Sequence, residues 1–262
     1  MKKLVILGCG YLGNIVADAV INGLLPEYDL VGVYARTKSK ALYIANKMQA
    51  AGRECKACSS FEELLALKPD FLAEAASPAA MKETAIATLK NGTSIVTISV
   101  GALADNLFKA EVERIAKSNG TKVYICSGAT GGFDVLRTAA LMGKSTANFF
   151  NENGRHRSPF SPFYRPGMEN EKQIIFSGTA REAINIFPTG LNVAVAASIA
   201  SVGPEQMHVT MQTTPRFIGD IQRVEIKNEQ VHAVVDVYSA TSEIAGWSIV
   251  STLQNIASPI VF

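Results

Sequence analysis

Gly8, Gly10 and Gly13 follow the apolar run "KLVIL" and open the stretch "YLGNIVADAVINGLL". Where a strand turns into a helix, each glycine at that spacing has its own task. The first permits a tight turn, the second lets backbone amides approach a pyrophosphate, and the third lets the helix pack closely on the strand. In a unit that begins at residue 3, the run reads as the phosphate loop of a dinucleotide site, with Tyr11 and Leu12 between its glycines. A second group ends the next apolar run, "YDLVGVYARTK": Arg36 and Thr37, followed by Lys38. In such a site that strand end faces the adenosine ribose. A carboxylate there takes the ribose hydroxyls and repels a 2′-phosphate, whereas a guanidinium attracts that phosphate. Arg36 therefore favours NADP over NAD, with Thr37 as a hydroxyl donor and Lys38 as a second cation. An arginine merely solvated at a strand end is the alternative.

Other reactive side chains carry less. Cys55 and Cys58 form a lone "CKAC". Zinc takes four ligands, and no second Cys or His pair stands at suitable spacing. A thioredoxin-like pair opens a helix, whereas this one precedes the capping serines of "SSFEELLAL". Cys9 and Cys126 sit among small and apolar residues and read as packing, so no metal is expected. His208 and His232 fall in strand-like runs, where a structural role is the ordinary one. His156 lies in "NGRHRSPFSPFYRPG" with Arg155, Arg157 and Arg165, the densest basic cluster of the chain. Guanidinium forks suit a substrate carboxylate, and a solvated loop fits the same residues equally.

A phosphate loop needs a strand–helix repeat to hold it, and residues 1–134 supply one. "KLVILG", "YDLVGVYA", "DFLAEAA", "TSIVTIS" and "TKVYICS" are strand-like. Between them "YLGNIVADAVINGLL", "KALYIANKMQAAG", "AAMKETAIATLKNG" and "NLFKAEVERIAKSNG" repeat apolar residues at helical spacing, two of them closing on Asn-Gly. Strands and helices in alternation mean a parallel sheet wrapped by crossover helices, a doubly wound α/β domain. Residues 135–241 read as a second domain, α+β with an antiparallel sheet. Residues 150–170 are loop-rich, "KQIIFSG" is a strand, and Thr179-Ala-Arg-Glu182 is a capping box for a short helix ending before Pro188. "LNVAVAASIASVG" is a helix closed by Gly203, and "QMHVTMQTT" and "IQRVEIKNEQVHAVVDVYS" are strands with a turn at Asn228. Residues 242–262 form a helix that completes the first domain.

With 262 residues, 48% of them hydrophobic, and a formal charge of +2, the chain has apolar material for two globular domains. No basic tract is long enough to neutralise a row of phosphates, so nucleic acid is not the expected partner. No apolar segment reaches the length of a membrane span. The N-terminal apolar run, about six residues long, lacks a small-residue cleavage site and reads as a strand. Four scattered cysteines make no disulfide framework, and a reducing cytoplasm is the expected compartment.

Several stretches together resemble the L-aspartate dehydrogenases: "EAASPAAMKE" (74–83), "SVGALAD" (99–105), "SGATGGFDVL" (127–136), "IFSGTAREAINIFPTGLNVAVAASIA" (175–200) and the strand leading to Pro215. The likeness runs in register from residue 3 to about 225 and rests on segments that Rossmann folds in general lack. Sugar-type oxidoreductases carry Glu-Lys-Pro where this chain has "ISVGALAD". The resemblance implies a homodimer, a first domain that holds NAD(P), a second that carries the substrate site, and oxidative deamination of a small acidic amino acid to its 2-oxo acid. It places Ala76 and Ser77 at the cofactor, and Ala129 and Asn192 at its nicotinamide half. On the residues alone, Ala129 fits a tight turn and Asn192 a helix cap.

Past Pro215 the pattern breaks. The family has Asn, one residue, then a His that serves as acid and base; "PRFIGDIQRVE" puts Asp220, Ile221 and Gln222 in register, with Gln222 at the His position. The family's Asn-Pro-Lys-Thr-Ser becomes Tyr238-Ser-Ala-Thr241-Ser242. Deamination needs a hydride to leave Cα while a base activates water against the imine, and a group that titrates near neutrality does this best. Gln222 forms hydrogen bonds but takes no proton. Two classes remain: an NAD(P)-dependent amino-acid dehydrogenase with Gln222 and Asp220 at the catalytic position, or an NAD(P)-binding homologue without turnover that acts as sensor or partner.

Overall fold

The computed structural model describes residues 1–154, 163–187 and 191–262. The chain divides into two compact units, Met1–Gly128 with Ala245–Phe262, and Ala129–Ile244.

The first unit is built on six parallel strands, β1 (Lys2–Leu7), β2 (Tyr28–Tyr34), β3 (Lys56–Ala57), β4 (Phe71–Glu74), β5 (Ser94–Thr97) and β6 (Val123–Ile125), in the order β3-β2-β1-β4-β5-β6. Helices α1 (Tyr11–Ile21), α2 (Lys38–Ala50), α3 (Phe61–Ala66), α4 (Pro78–Lys90) and α5 (Asn106–Ser118) connect them. The doubly wound sheet expected from the alternating runs is thus present. Leu4, Val5 and Ile6 are fully buried, as a strand covered on both faces requires. Ser60, Ser77 and Asp105 cap α3, α4 and α5 through their side chains. The two Asn-Gly pairs stop α4 and α5, with Gly92 and Gly120 at positive φ. The edge strand β3 was not legible in "CKAC", because only two residues pair there, with Gly32 and Val33.

The second unit holds α6 (Phe133–Met142), β7 (Thr146–Asn153), β8 (Gln173–Thr179), α7 (Ala180–Ile186), α8 (Asn192–Ile199), β9 (His208–Thr213), β10 (Asp220–Lys227) and β11 (His232–Ser239). Its strands run β11-β10-β7-β9-β8 and are antiparallel apart from the β7/β9 pair, so the sheet is mixed. β7 corrects the sequence reading, which began a loop at residue 150. "FNEN" has poor strand propensity, yet it is the middle strand of this sheet, with Ala147, Phe149, Asn151 and Asn153 buried in alternation. The Thr179 capping box forms as read, both of its hydrogen bonds present. Asn228 makes the β10/β11 turn, its Oδ1 accepting from the amides of Gln230 and Val231 at 2.9 and 2.7 Å. α8 ends at Ile199, four residues short of Gly203. One face of the sheet packs on Leu136, Ala183 and Ala194 of α6, α7 and α8.

The last helix, α9 (Glu243–Ala257), belongs from Ala245 onward to the first unit. Tyr28 Oη donates to the Leu253 carbonyl at 2.8 Å, and the Gly128 amide donates to Ser248 Oγ at 3.1 Å. No helix among the described residues is long and apolar enough to cross a membrane.

Candidate functional site

At the carboxyl end of β1 the chain turns through Gly8, whose φ of +101° suits glycine alone and whose amide donates to the Tyr34 carbonyl at 2.9 Å. The turn is tight on two sides. A Cβ at Gly8 would lie 2.6 Å from the Ala75 carbonyl carbon, and one at Gly13 would lie 2.1 Å from the Gly8 oxygen. Gly10 differs: a Cβ there meets no atom of the described residues within 4 Å. It precedes α1, whose first turn carries no acidic residue, so the positive end of that helix is not neutralised by its own side chains. Asn14 Nδ2 donates to the Gly10 carbonyl at 2.9 Å and fixes the loop from within the helix.

A cleft of about 410 Å³ opens beside this turn. Of the residues singled out from sequence, Gly8, Gly10, Arg36, Thr37, Ala76 and Ser77 line it. Tyr11, Leu12 and Gly13 do not; they form the start of α1 behind the loop. Arg36 is exposed at the rim, and Thr37 precedes α2 without spending its hydroxyl on a cap. The second cation on the lining is Lys40 rather than Lys38. Sequence reasoning also missed Phe61 of α3 and the wall given by α4, where Ala79, Ala80, Glu83 and Thr84 face the cleft. Their spacing of one, four and five residues is one helix face, a signal that was available.

The Ala76–Ser77 turn that leads into α4 is held by Glu74, the last residue of β4 and fully buried. Its Oε1 accepts from the amides of Ala76 and Ser77 at 2.9 and 3.0 Å, and its Oε2 from Thr97 Oγ1 at 2.7 Å. Burial pushes its carboxyl above the ordinary value, and hydrogen bonds from Thr97, Ser99, Ala76 and Ser77 pull the other way.

In the second unit the residues of interest gather where the helix-covered face of the sheet turns from apolar to polar. Val235, Val224, Phe149 and Val209 form one apolar row across β11, β10, β7 and β9. Toward the strand ends the same face carries Gln222 opposite Asn151, then Asp220 opposite Asn153. Asn153 Nδ2 donates to Asn151 Oδ1 at 2.8 Å. Asn151 Nδ2 donates to Asp220 Oδ1 and to the Ile221 carbonyl, and Gln222 Nε2 donates to the same Asp220 oxygen at 3.0 Å. Asn151, Asn153 and Gln222 are buried. His208 and His232 stand on the other face, against Ser177 Oγ at 3.1 Å and Glu225 Oε1 at 2.7 Å, where strand alternation keeps them from Gln222. Asn192 is the first residue of α8, not its cap, which is Leu191. Ala129 is half-buried in the segment leading to α6. Arg155, His156 and Arg157 lie outside the described residues, and Arg165 is exposed.

Residues 161–256 match the family model described as aspartate dehydrogenase, C-terminal, and residues 8–126 match the NAD-binding domain of homoserine dehydrogenase. The L-aspartate dehydrogenase of Methanocella arvoryzae is 30% identical over 272 residues, 99% of this chain and 98% of that one. The chain belongs to the L-aspartate dehydrogenase family. The enzyme of that name from Methanosarcina mazei is likewise 30% identical, with 99% and 98% covered. Among solved structures, aspartate dehydrogenase from Thermotoga maritima superposes with a TM-score of 0.77 over 100% of this chain and 99% of its own, at 24% identity, a likeness of fold. In this family member the four cysteines are free thiols. Burial pushes Cys9, Cys55 and Cys126 up to about 12, which leaves almost no thiolate near neutrality. Among the described residues no group of His, Cys, Asp and Glu is placed to hold a metal ion.

Proposed function

We propose that this chain is an NAD(P)-dependent oxidoreductase, NADP-preferring, that oxidatively deaminates aspartate or a closely related small amino acid to the 2-oxo acid. The observation that carries the reading is the cleft of the first unit, which joins the Gly8–Gly10 turn to an exposed arginine, with no carboxylate at the end of β2. Asn14 Oδ1, an acceptor with no partner among the described residues, and the open space at Gly10 fit a ligand brought close to the loop backbone.

When bound, the dinucleotide supplies the hydride acceptor. The chain's own residues do the rest. Gly8 and Gly10 allow the backbone to approach the pyrophosphate, Tyr11, Leu12 and Gly13 present the start of α1, and Arg36 and Thr37 take the 2′-phosphate, with Lys40 adding charge. Ala76 and Ser77 form a wall fastened by Glu74, and Ala129 and Asn192 serve the nicotinamide half. On the substrate side Gln222 stands at the position that the family resemblance gives to the acid–base His, and Asp220 at the position of the Asn before it. The protein acts as a homodimer on a small molecule.

A second reading is a homologue that binds the cofactor without turnover. It is favoured by one fact: the Gln222 amide does not titrate and cannot act as an acid or a base at neutral pH. Aspartate-dependent NADPH formation, measured beside direct binding of NADPH and NADH, separates the two. Tighter NADPH binding with turnover supports the dehydrogenase. Binding without turnover of any amino acid supports the second reading, and equal affinity for both cofactors removes the role of Arg36.

A further inference from the structure

The polar patch on the second unit's sheet is a network whose hydrogen bonds do not close. Gln222 Nε2 donates to Asp220 Oδ1 at 3.0 Å, and a flipped amide would set its oxygen against that carboxylate. The direction of the amide is therefore fixed. Its Oε1 is left as an acceptor in a residue only 6% exposed, with no hydrogen-bond partner among the described residues. Thr130 Oγ1, also in a residue 6% exposed, shares that condition. The segment carrying Thr130 comes down on the same face of the sheet. Gly132 packs so closely on Val235 that a Cβ would lie 2.5 Å from its Cγ2. On β11, Val235 is the next inward residue to Val237, the cross-strand partner of Gln222. A buried carbonyl left unmet is costly, and folds that keep one usually complete it with a ligand or a water.

We propose that Gln222 Oε1, oriented by Asp220, is the hydrogen-bond acceptor for a substrate amino group, with Thr130 Oγ1 as a second contact, so that this end of the sheet selects ligands bearing an N–H donor. The inference rests on the amino-acid reading above and deepens it. Amine and iminium forms of a substrate carry N–H donors. The keto oxygen of a 2-oxo acid carries only lone pairs and meets the fixed carbonyl as one acceptor meets another. Gln222 thus holds the substrate's nitrogen through oxidation and disfavours the oxo product. It moves no proton.

The test is equilibrium binding to full-length protein loaded with NADPH, which with an amino acid gives a complex that cannot turn over. The probes are pairs that differ only in the amino group: L-aspartate and succinate, L-glutamate and glutarate, L-alanine and propionate. In at least one pair the amino acid is expected to bind about tenfold or more tightly than its partner, the scale of a hydrogen bond left unmade in a buried site. Gln222→Leu should weaken that amino acid by about ten- to a hundredfold and its partner by less than about twofold, with NADPH affinity unchanged. Thr130→Val, which leaves the sheet untouched, should weaken the amino acid alone by several-fold and keeps the test open if Gln222→Leu does not fold. Equal loss on both members of a pair, or no loss, overturns the proposal. Preference for an amino acid other than aspartate supports it and removes the aspartate reading. NADPH binding with no preference in any pair overturns it while leaving the cofactor reading intact.

Discussion

Glu74 offers the sharpest test of how the cleft is held. Replacing it by alanine removes four heavy atoms and leaves the Ala76 and Ser77 amides and the Thr97 hydroxyl, now bonded at 2.9, 3.0 and 2.7 Å, without their acceptor, and takes away the bond from Ser99 as well. Each buried donor left unmet costs about 1–3 kcal/mol. Two effects offset this: the buried charge disappears, and a water can enter the vacated space. The low end of the sum applies, and Glu74→Ala should cost about 3 kcal/mol at neutral pH. Glu74→Gln should cost less, since its amide oxygen still accepts from Ala76 and Ser77 while the bonds from the Thr97 and Ser99 hydroxyls must adjust. The pH dependence has a definite sign. Burial raises the folded-state carboxyl above its unfolded value near 4.5, so the fold binds this proton more tightly than the unfolded chain does. Glu74's contribution is therefore complete below about 4.5 and falls as pH rises through the folded value. The glutamine variant has no such proton, and its deficit relative to wild type should be larger at pH 4.5 than at pH 7. Urea unfolding followed by far-UV circular dichroism at both pH values measures this. A loss below about 1 kcal/mol for Glu74→Ala would show that the carboxylate is not what fastens the Ala76–Ser77 turn.

Four further substitutions have definite expected outcomes. Arg36→Asp should weaken NADPH by about 1–3 kcal/mol and leave NADH unchanged or tighter, read by cofactor titration; equal losses would remove the 2′-phosphate role. Gly10→Val should abolish binding of both cofactors with the fold retained, because its side chain enters open space, whereas Gly13→Ala should cost about 1–3 kcal/mol of stability by overpacking against the Gly8 carbonyl. Thermal unfolding beside cofactor titration distinguishes the two glycines. Gln222→His should raise aspartate-dependent NADPH formation, with a rate that climbs as the imidazole loses its proton, by a factor toward the ~10²–10⁴ that general acid–base catalysis supplies. Wild-type turnover already at full speed would show that another group moves the proton.

The alternation of apolar strands with helical runs, and the glycines at 8, 10 and 13, are local patterns, and they were enough to place the first sheet and the glycine turn at the end of β1. Caps were equally legible: the Thr179 box and the two Asn-Gly stops depend on neighbours within four residues. The second sheet was less so. β7 reads as a loop because Asn, Glu and Asn are poor strand formers, and only its pairing with β10 on one side and β9 on the other makes it a strand. The same long-range pairing sets Gln222 beside Asn151 and Asp220 and turns His208 and His232 to the opposite face, none of which follows from spacing along the chain. Lys40 displaces Lys38 from the cleft because a helix turn, not sequence proximity to Arg36, decides which side chain comes round. Residue types and short-range periodicity thus determined the frame and the glycine loop. Which polar atoms are buried without a partner was decided by strands brought together from distant parts of the chain, since burial belongs to the packed whole rather than to any one segment.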